Sequence, residues 1–274
     1  MWLCIVRLNP RKPATMQAQF DVKSYLKERY ESPQWRSFAF RYCYSVFSKY
    51  HGKWDPSKAT LLELGGGPSL QIAIVGAPFF SSIIHSDFND SCNKEVQLWV
   101  DRSPDAFNWT PAVEYSKKHC EGEAEREVDW HAVVERQEEV RRKIWAVVHC
   151  DATQENVGLP PGVIPDGGFD VVTAWGCLTC GARTKEEFFQ ELKNIHSVLK
   201  EGGYLCAVIC GRTSAYKIAS EDKELHSILY VTDSDVRDGI VEAGLCLEEF
   251  QTIPTPPSGN PGGIKEVYVC LASR

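Results

Sequence analysis

The sequence predicts an α/β fold, a mostly parallel central sheet with helices on both faces. Three observations predict it. Short apolar runs alternate with helical patterns, punctuated by Gly and Pro, across most of the 274 residues, and that order builds a parallel sheet. Residues 60–64, Thr-Leu-Leu-Glu-Leu, run straight into Gly65, Gly66, Gly67 and Pro68, which reads as a buried strand turning sharply at its C-terminal end. The next apolar run closes on an acid, Asp87, about 20 residues past the glycines.

Taken in order, residues 1–19 carry Pro10 and Pro13 beside basic residues and show no periodicity. They are expected to form a flexible tail, leaving 20–274 as a single domain, for which the length is ample. Phe20, Tyr25, Leu26 and Tyr30 are spaced for a first helix, and 37–50 for a second, aromatic-rich one. The pair can cover the open end of the sheet. Tyr25 and Tyr30 then read either as core packing or as a lid whose faces meet the ligand, since a cation is drawn to such faces by ~0.5–2 kcal/mol.

Pro68 suits the first position of a helix over 69–76. A strand over 81–86 ends at Asp87, and helices follow over 93–101 and 111–118 with a loop at 104–109. Residues 121–143 read as one solvated amphipathic helix with Val128, Val133, Val134 and Val140 on its apolar face. Strands are expected over 144–148, with Asp151 just beyond, and over 169–175 after a Pro/Gly loop. A helix over 185–200 is closed by Gly202 and Gly203, with Lys200 in its last turn, and a strand covers 204–210. A helix over 231–243 has Thr232 or Asp233 as cap and Gly244 as stop, and 245–253 with 267–272 forms a closing antiparallel pair.

Three polar features thus arrive at carboxyl ends of strands: Gly65–Gly67, Asp87 and Asp151. Ligands of open α/β sheets bind along that edge. The glycines let a ligand approach the main chain, and the Asp87 carboxylate can accept both hydroxyl protons of a ribose. The third glycine of a dinucleotide fingerprint is here Leu70, which disfavours NAD.

A formal net charge of −7 argues against a nucleic-acid partner. The apolar run at residues 2–6 is too short for a signal peptide or membrane span, so a cytoplasmic protein without a membrane partner is expected. The eleven cysteines are scattered, several within apolar runs, and read as reduced core residues. Cys177 and Cys180 have the spacing of a redox or metal pair, but no second Cys/His pair accompanies them and no metal is expected.

The chain resembles the class I S-adenosylmethionine (SAM) dependent methyltransferases, and within them the nicotinamide, phenylethanolamine and indolethylamine N-methyltransferase family. The residues that carry the resemblance are 25–30, 64–68, Asp87 to Asp90, Trp99, 105–111, 150–154, Cys177-Leu178, 199–203 and Tyr216. It implies a Rossmann-like methyltransferase fold with an N-terminal helical lid. It also implies that Tyr25 and Tyr30 close over the cofactor carboxylate, that Gly65, Gly66 and Gly67 run along its methionine and ribose, that Asp87 takes the ribose hydroxyls, and that Asp151 and Ala152 bound the adenine. Three cofactor positions depart from the family: Gln71 where a Tyr is common, Cys92 where an Asn is common, and Trp175 where a small residue is common.

At the acceptor side, the acids that relatives use to hold amines correspond to Thr179, Ile209 and Gly262 or Gly263. Tyr25, Arg212, Thr213 and Tyr216 remain as acceptor contacts. The resemblance implies methyl transfer from SAM to a small-molecule acceptor, at nitrogen, with S-adenosylhomocysteine (SAH) as product and no protein nucleophile. A monomer is expected. An oxygen or sulfur acceptor, or a SAM-binding protein without activity, stays open at this point.

Overall fold

The computed structural model describes residues 20–31, 37–122, 129–216, 226–255 and 264–274. The tail expected at 1–19, residues 123–128 of the helix expected over 121–143 with its Val128, and the acceptor positions 262 and 263 lie outside them. The principal sheet has seven strands in the order β3-β2-β1-β4-β5-β9-β8. These are β1 Thr60–Leu64, β2 Ser82–Asp87, β3 Ile144–His149, β4 Phe169–Trp175, β5 Leu199–Gly211, β8 Cys246–Pro254 and β9 Glu266–Ser273. A separate two-stranded ladder joins β6 Ala215–Tyr216 to β7 His226–Ser227.

Strands β1 to β5 pair in parallel, and β9 enters antiparallel between β5 and β8. The inner strands β1, β2, β4 and β5 are largely buried on both faces because helices cover both. Leu61, Ile83, Val171 and Val208 belong to one apolar cluster, while Leu62, Ile84, Val172 and Ala207 belong to the other. The helices are α1 Val22–Tyr30, α2 Ser37–Tyr50, α3 Gln71–Gly76, α4 Asp90–Val100, α5 Thr110–His119, α6 Trp130–Lys143, α7 Leu178–Gly181, α8 Lys185–Val198 and α9 Asp233–Glu242. Among the described residues no helix is long and apolar enough to cross a membrane.

Several boundaries differ from the sequence reading, each for a local reason. Pro68 lies in a turn ahead of α3, which begins at Gln71 after Leu70. Helix α4 starts three residues early because the Asn89 side chain accepts from the Ser91 amide as its cap. Helix α6 begins at Trp130 behind an Asp129 cap. Glu121, expected inside it, lies ahead of it and accepts both ends of the Arg136 guanidinium at 2.7 and 3.0 Å. Val134, expected on the buried face, is 55% exposed.

The helix expected to run to Lys200 stops at Val198. Leu199 is fully buried and pairs with Phe169 in the sheet. The register then jumps to Val171↔Tyr204, so residues 200–203 bulge from β5. Gly203 is needed there, since a Cβ would stand 2.8 Å from the carbonyl oxygens of Lys200 and Phe169. Lys200 therefore meets no helix end and pairs instead with Asp170 at 2.8 Å. Helix α9 keeps its expected start, with a reciprocal Thr232–Asp235 capping box, and stops before Gly244 at φ +82°.

Candidate functional site

The chain leaves β1 toward β2 and β3, then returns to β4 on the other side of β1. A crevice therefore opens above the ends of β1 and β4, the switch point where such sheets bind ligands. The structure has a cleft there of about 390 Å³ of empty space, open mouth included, lined among others by Gly65, Asp87, Asp151, Ala152 and Cys177.

The glycine turn forms one wall. Gly65 and Gly67 hold φ of +66° and +67°, angles that disfavour residues with a Cβ. A Cβ on Gly65 would stand 2.5 Å from that of Cys177, and one on Gly66 would stand 2.6–2.7 Å from Glu63 and from His85. The turn is thus packed from beneath on both sides. The Gly66 amide donates to the Ser86 carbonyl at 3.0 Å, which ties the turn to β2.

Asp87 closes β2 and is 1% exposed. Its Oδ2 accepts the Gly67 amide at 2.9 Å and its Oδ1 the Asn89 amide at 2.7 Å. Burial pushes its carboxyl up to about 6, against those two amides and the charge of His85, which favour the ionised form. A carboxylate has about four acceptor positions, so each oxygen keeps capacity toward the cleft. His85, fully buried two residues back, places Nε2 2.8 Å from the Gly67 carbonyl oxygen and Nδ1 3.1 Å from Glu63 Oε2.

The third wall follows β3. Asp151 donates its amide to the Val157 carbonyl at 2.8 Å, and its Oδ1 accepts from the Thr153 amide and hydroxyl at 3.0 and 2.7 Å. Asn156 and Val157 take φ of 54° and 49° to make that contact, and Gly158 packs so closely on Asp151 that a Cβ would lie 2.8 Å from its nitrogen. From α8, Asn194 Nδ2 donates to the Ala152 carbonyl at 2.8 Å. The loop is therefore fixed to the scaffold from two directions.

Of the cofactor positions read from sequence, Gly65, Asp87, Asp151 and Ala152 meet at the cleft, with Gly66 and Gly67 supporting it from behind. The others stand back from its lining. Tyr25 and Tyr30 are 3% and 8% exposed within a ring series from Phe20 through both tyrosines to Trp109. Cys92 is fully buried on α4, close enough to Asp87 for the carboxylate's charge to add to burial in raising its thiol pKa. Trp175, half-buried at the end of β4, packs against Tyr42 at 6.1 Å. Gln71 is buried in the first turn of α3, its Nε2 without a hydrogen-bond partner among the described residues.

Phe88, Cys150, Cys177 and Gly181 also line the cleft. Phe88 and Cys150 could have been found as neighbours of the two strand-end acids. Cys177 donates to the Leu64 carbonyl at 3.2 Å, so its role is packing beneath the glycine turn, which the CxxC spacing does not reveal.

The acceptor positions are more dispersed. Thr179, on α7, is fully buried with a hydroxyl lacking a partner among the described residues. The Tyr216 hydroxyl lies 3.7 Å from Cys180 Sγ, one residue on. Ile209 belongs to the apolar cluster of the opposite sheet face from that of Tyr216. Thr213 donates to the Ala215 carbonyl at 2.8 Å, which holds the turn into β6. Arg212, at φ 50°, pairs through Nε with Glu266 Oε1 at 2.7 Å. Glu266 opens β9 and also accepts from the Tyr268 hydroxyl, so an acid does stand at the start of the last strand, but it is already engaged.

Whether this chain can hold SAM is tested by its own groups. A buried carboxylate with spare acceptor capacity faces the cleft, and a Cβ-free turn lets a ligand lie along the main chain; both fit a nucleoside with a vicinal diol. The fold is that of the class I SAM-dependent methyltransferases. One solved structure, the 1,6-didemethyltoxoflavin-N1-methyltransferase of Burkholderia thailandensis, bound to SAH, superposes over 100% of this chain and 93% of its own with a TM-score of 0.52 at 14% identity.

The chain belongs to the NNMT/PNMT/TEMT family, whose profile matches residues 10–273. It is 30% identical over 193 residues to the nicotinamide N-methyltransferase of Sus scrofa, covering 70% of this chain and 68% of that enzyme. It is 26% identical over 261 residues to the indolethylamine N-methyltransferase of Oryctolagus cuniculus, covering 94% of each.

Proposed function

We infer that residues 20–274 act as one catalytic domain that transfers a methyl group from SAM to the nitrogen of a small molecule, releasing SAH. The observation that carries this reading is Asp87: a buried carboxylate at the end of β2, each oxygen held by one backbone amide and still able to accept at the cleft. SAM, when bound, supplies a methyl group already activated on a sulfonium. Asp87 would grip the ribose diol, Gly65 and Gly66 would lie along the methionine and ribose, and Asp151 with Ala152 would bound the adenine. Tyr25 and Tyr30 would exclude water from above. Alignment of two reactants supplies roughly 7–11 kcal/mol, so the contribution of these residues is position and dryness.

Engagement of Glu266 by Arg212 and Tyr268, with Thr179 and Ile209 at the other acid positions, favours a neutral acceptor nitrogen, as in a pyridine, over a cationic amine. A tertiary nitrogen of that kind needs no base. We read the protein as a cytoplasmic monomer without a nucleic-acid partner. Calorimetric titration with SAH tests the cofactor site: micromolar or tighter binding is expected, and no binding overturns the function. A screen of pyridines, amines and thiols with labelled SAM then tests the acceptor class, and turnover confined to cationic amines or to thiols would overturn the neutral-nitrogen reading.

A further inference from the structure

Beneath the glycine turn lies a buried pair that the proposed chemistry does not use. His85 and Glu63 are 0% and 3% exposed. Both neighbours of the His85 ring are acceptors, the Glu63 carboxyl at Nδ1 and the Gly67 carbonyl at Nε2. A neutral imidazole carries one N–H. With Glu63 ionised it would satisfy one contact and set two lone pairs against each other at the second, in a site shut off from bulk solvent by burial. Both contacts are hydrogen bonds only if the pair holds one more proton, on the ring or on the carboxyl.

We propose that Glu63 and His85 share that proton at neutral pH, and that it positions the glycine turn, and Asp87 through it, for cofactor binding. The proposal rests on the reading of the cleft as a SAM site. The coupling runs through the two peptide groups that flank Gly67. The Gly67 carbonyl faces His85 while the Gly67 amide holds Asp87 Oδ2. Loss of the proton turns one contact repulsive, and Gly66 leaves little slack, because even a Cβ there would stand 2.6–2.7 Å from both Glu63 and His85. The turn must then shift, and Asp87 shifts with it.

Burial opposes charging of His85, but Glu63, Asp87 and the Gly67 carbonyl together raise its pKa above the ordinary imidazole value. Around the pair stand Asp87 on β2 itself, the Cys43 thiol from α2, which feels Glu63, and the thiols of Cys92 on α4 and Cys150 after β3, which feel Asp87. Burial raises all three thiols, so they stay neutral while the pair titrates. The sign follows: the pair favours binding at neutral pH and stops doing so as pH rises through its pKa.

The test is calorimetric titration of the full chain with SAH from about pH 6.5 to 9.5, in wild type and in Glu63→Gln. The amide introduced by Glu63→Gln donates to Nδ1, leaving a neutral ring with its N–H on Nε2 for Gly67, so no extra proton is needed. Wild-type affinity is expected to fall up to roughly tenfold per pH unit on the alkaline side, the slope of one linked proton, and Glu63→Gln to fall less steeply by that proton. Coincident profiles would overturn the positioning role alone. No SAH binding at any pH would overturn the SAM reading, and the positioning role with it.

Should Glu63→Gln fail to fold, His85→Gln replaces it, since its amide donates to Gly67 without titrating. Nitrogen-15 NMR of the His85 ring tests the proton without ligand. One transition above about pH 7 supports it, and none there overturns it.

Discussion

Asp87 sits where its own charge is disfavoured, and that has a measurable sign. Its folded pKa, pushed up to about 6 by burial, lies above the ordinary carboxylate value. Its contribution to stability is therefore greatest below that ordinary value and declines as pH rises through about 6. Binding of a diol runs the other way, because only the carboxylate accepts both hydroxyls. SAH affinity is expected to fall as pH drops below about 6, with proton release on binding near that pH, both read by calorimetry in two buffers. Asp87→Asn should remove this acid limb and weaken binding by ~1.5–3 kcal/mol, the scale of a hydrogen bond to a charged group. Gly66→Ala places a Cβ 2.6 Å from Glu63, and overpacking of this kind costs about 1–3 kcal/mol. Denaturant unfolding should show that loss, together with loss of SAH binding.

At the scale of elements, α1 is where packing and function are hardest to separate. Its Tyr25 ring packs on Phe20 and Tyr30 at 5.4 and 6.0 Å, and Lys23 pins the helix to buried Glu95 on α4 at 2.8 Å. Tyr25→Phe keeps the ring and removes the hydroxyl. An unchanged melting temperature with weaker SAH binding or slower turnover is expected; wild-type binding and turnover would leave α1 a core element only. Thr232→Ala should cost about 0.5–2 kcal/mol through loss of the α9 cap, without changing SAH affinity.

Local chemistry is what made such elements legible beforehand. Thr232 and Gly244 mark their helix ends by residue type, and the run from Thr60 to Gly67 marks strand and turn together. The α8–β5 junction was not legible, because burial of Leu199 against Phe169 decides it and both its glycines look like a helix stop. The engagement of Glu266 was hidden for a similar reason: Arg212 lies 54 residues away, and no periodicity reports such a pair.

For the whole molecule, the strand ends were the readable part of the site. Gly65, Asp87 and Asp151 converge because topology carries the ends of β1, β2 and β3 to one edge. The positions behind them, such as Cys177 and His85, depend on packing across strands and read in sequence as ordinary residues. Ligand binding should stabilise the assembled edge: at SAH a hundredfold above its Kd, about 2.7 kcal/mol is added. For a chain of this size that raises the melting temperature by roughly 5–10 °C, which scanning calorimetry can check.

Strand β9 lies between β5 and β8, and Tyr204 of β5 pairs with Ser273 at its far end. Strand β1 likewise waits for β4, its Thr60 amide meeting Asp170 across a separation of 110 residues. The pairings of β1 with β4 and of β5 with β9 join distant parts of the chain, so their closure entropy must be met before that pairing returns anything, and folding should be slow. During synthesis the cleft edge cannot form before β4 has left the ribosome, and β5 keeps an unpaired edge until the last strand is made. Until β9 is made the nascent chain is therefore exposed to edge-to-edge aggregation.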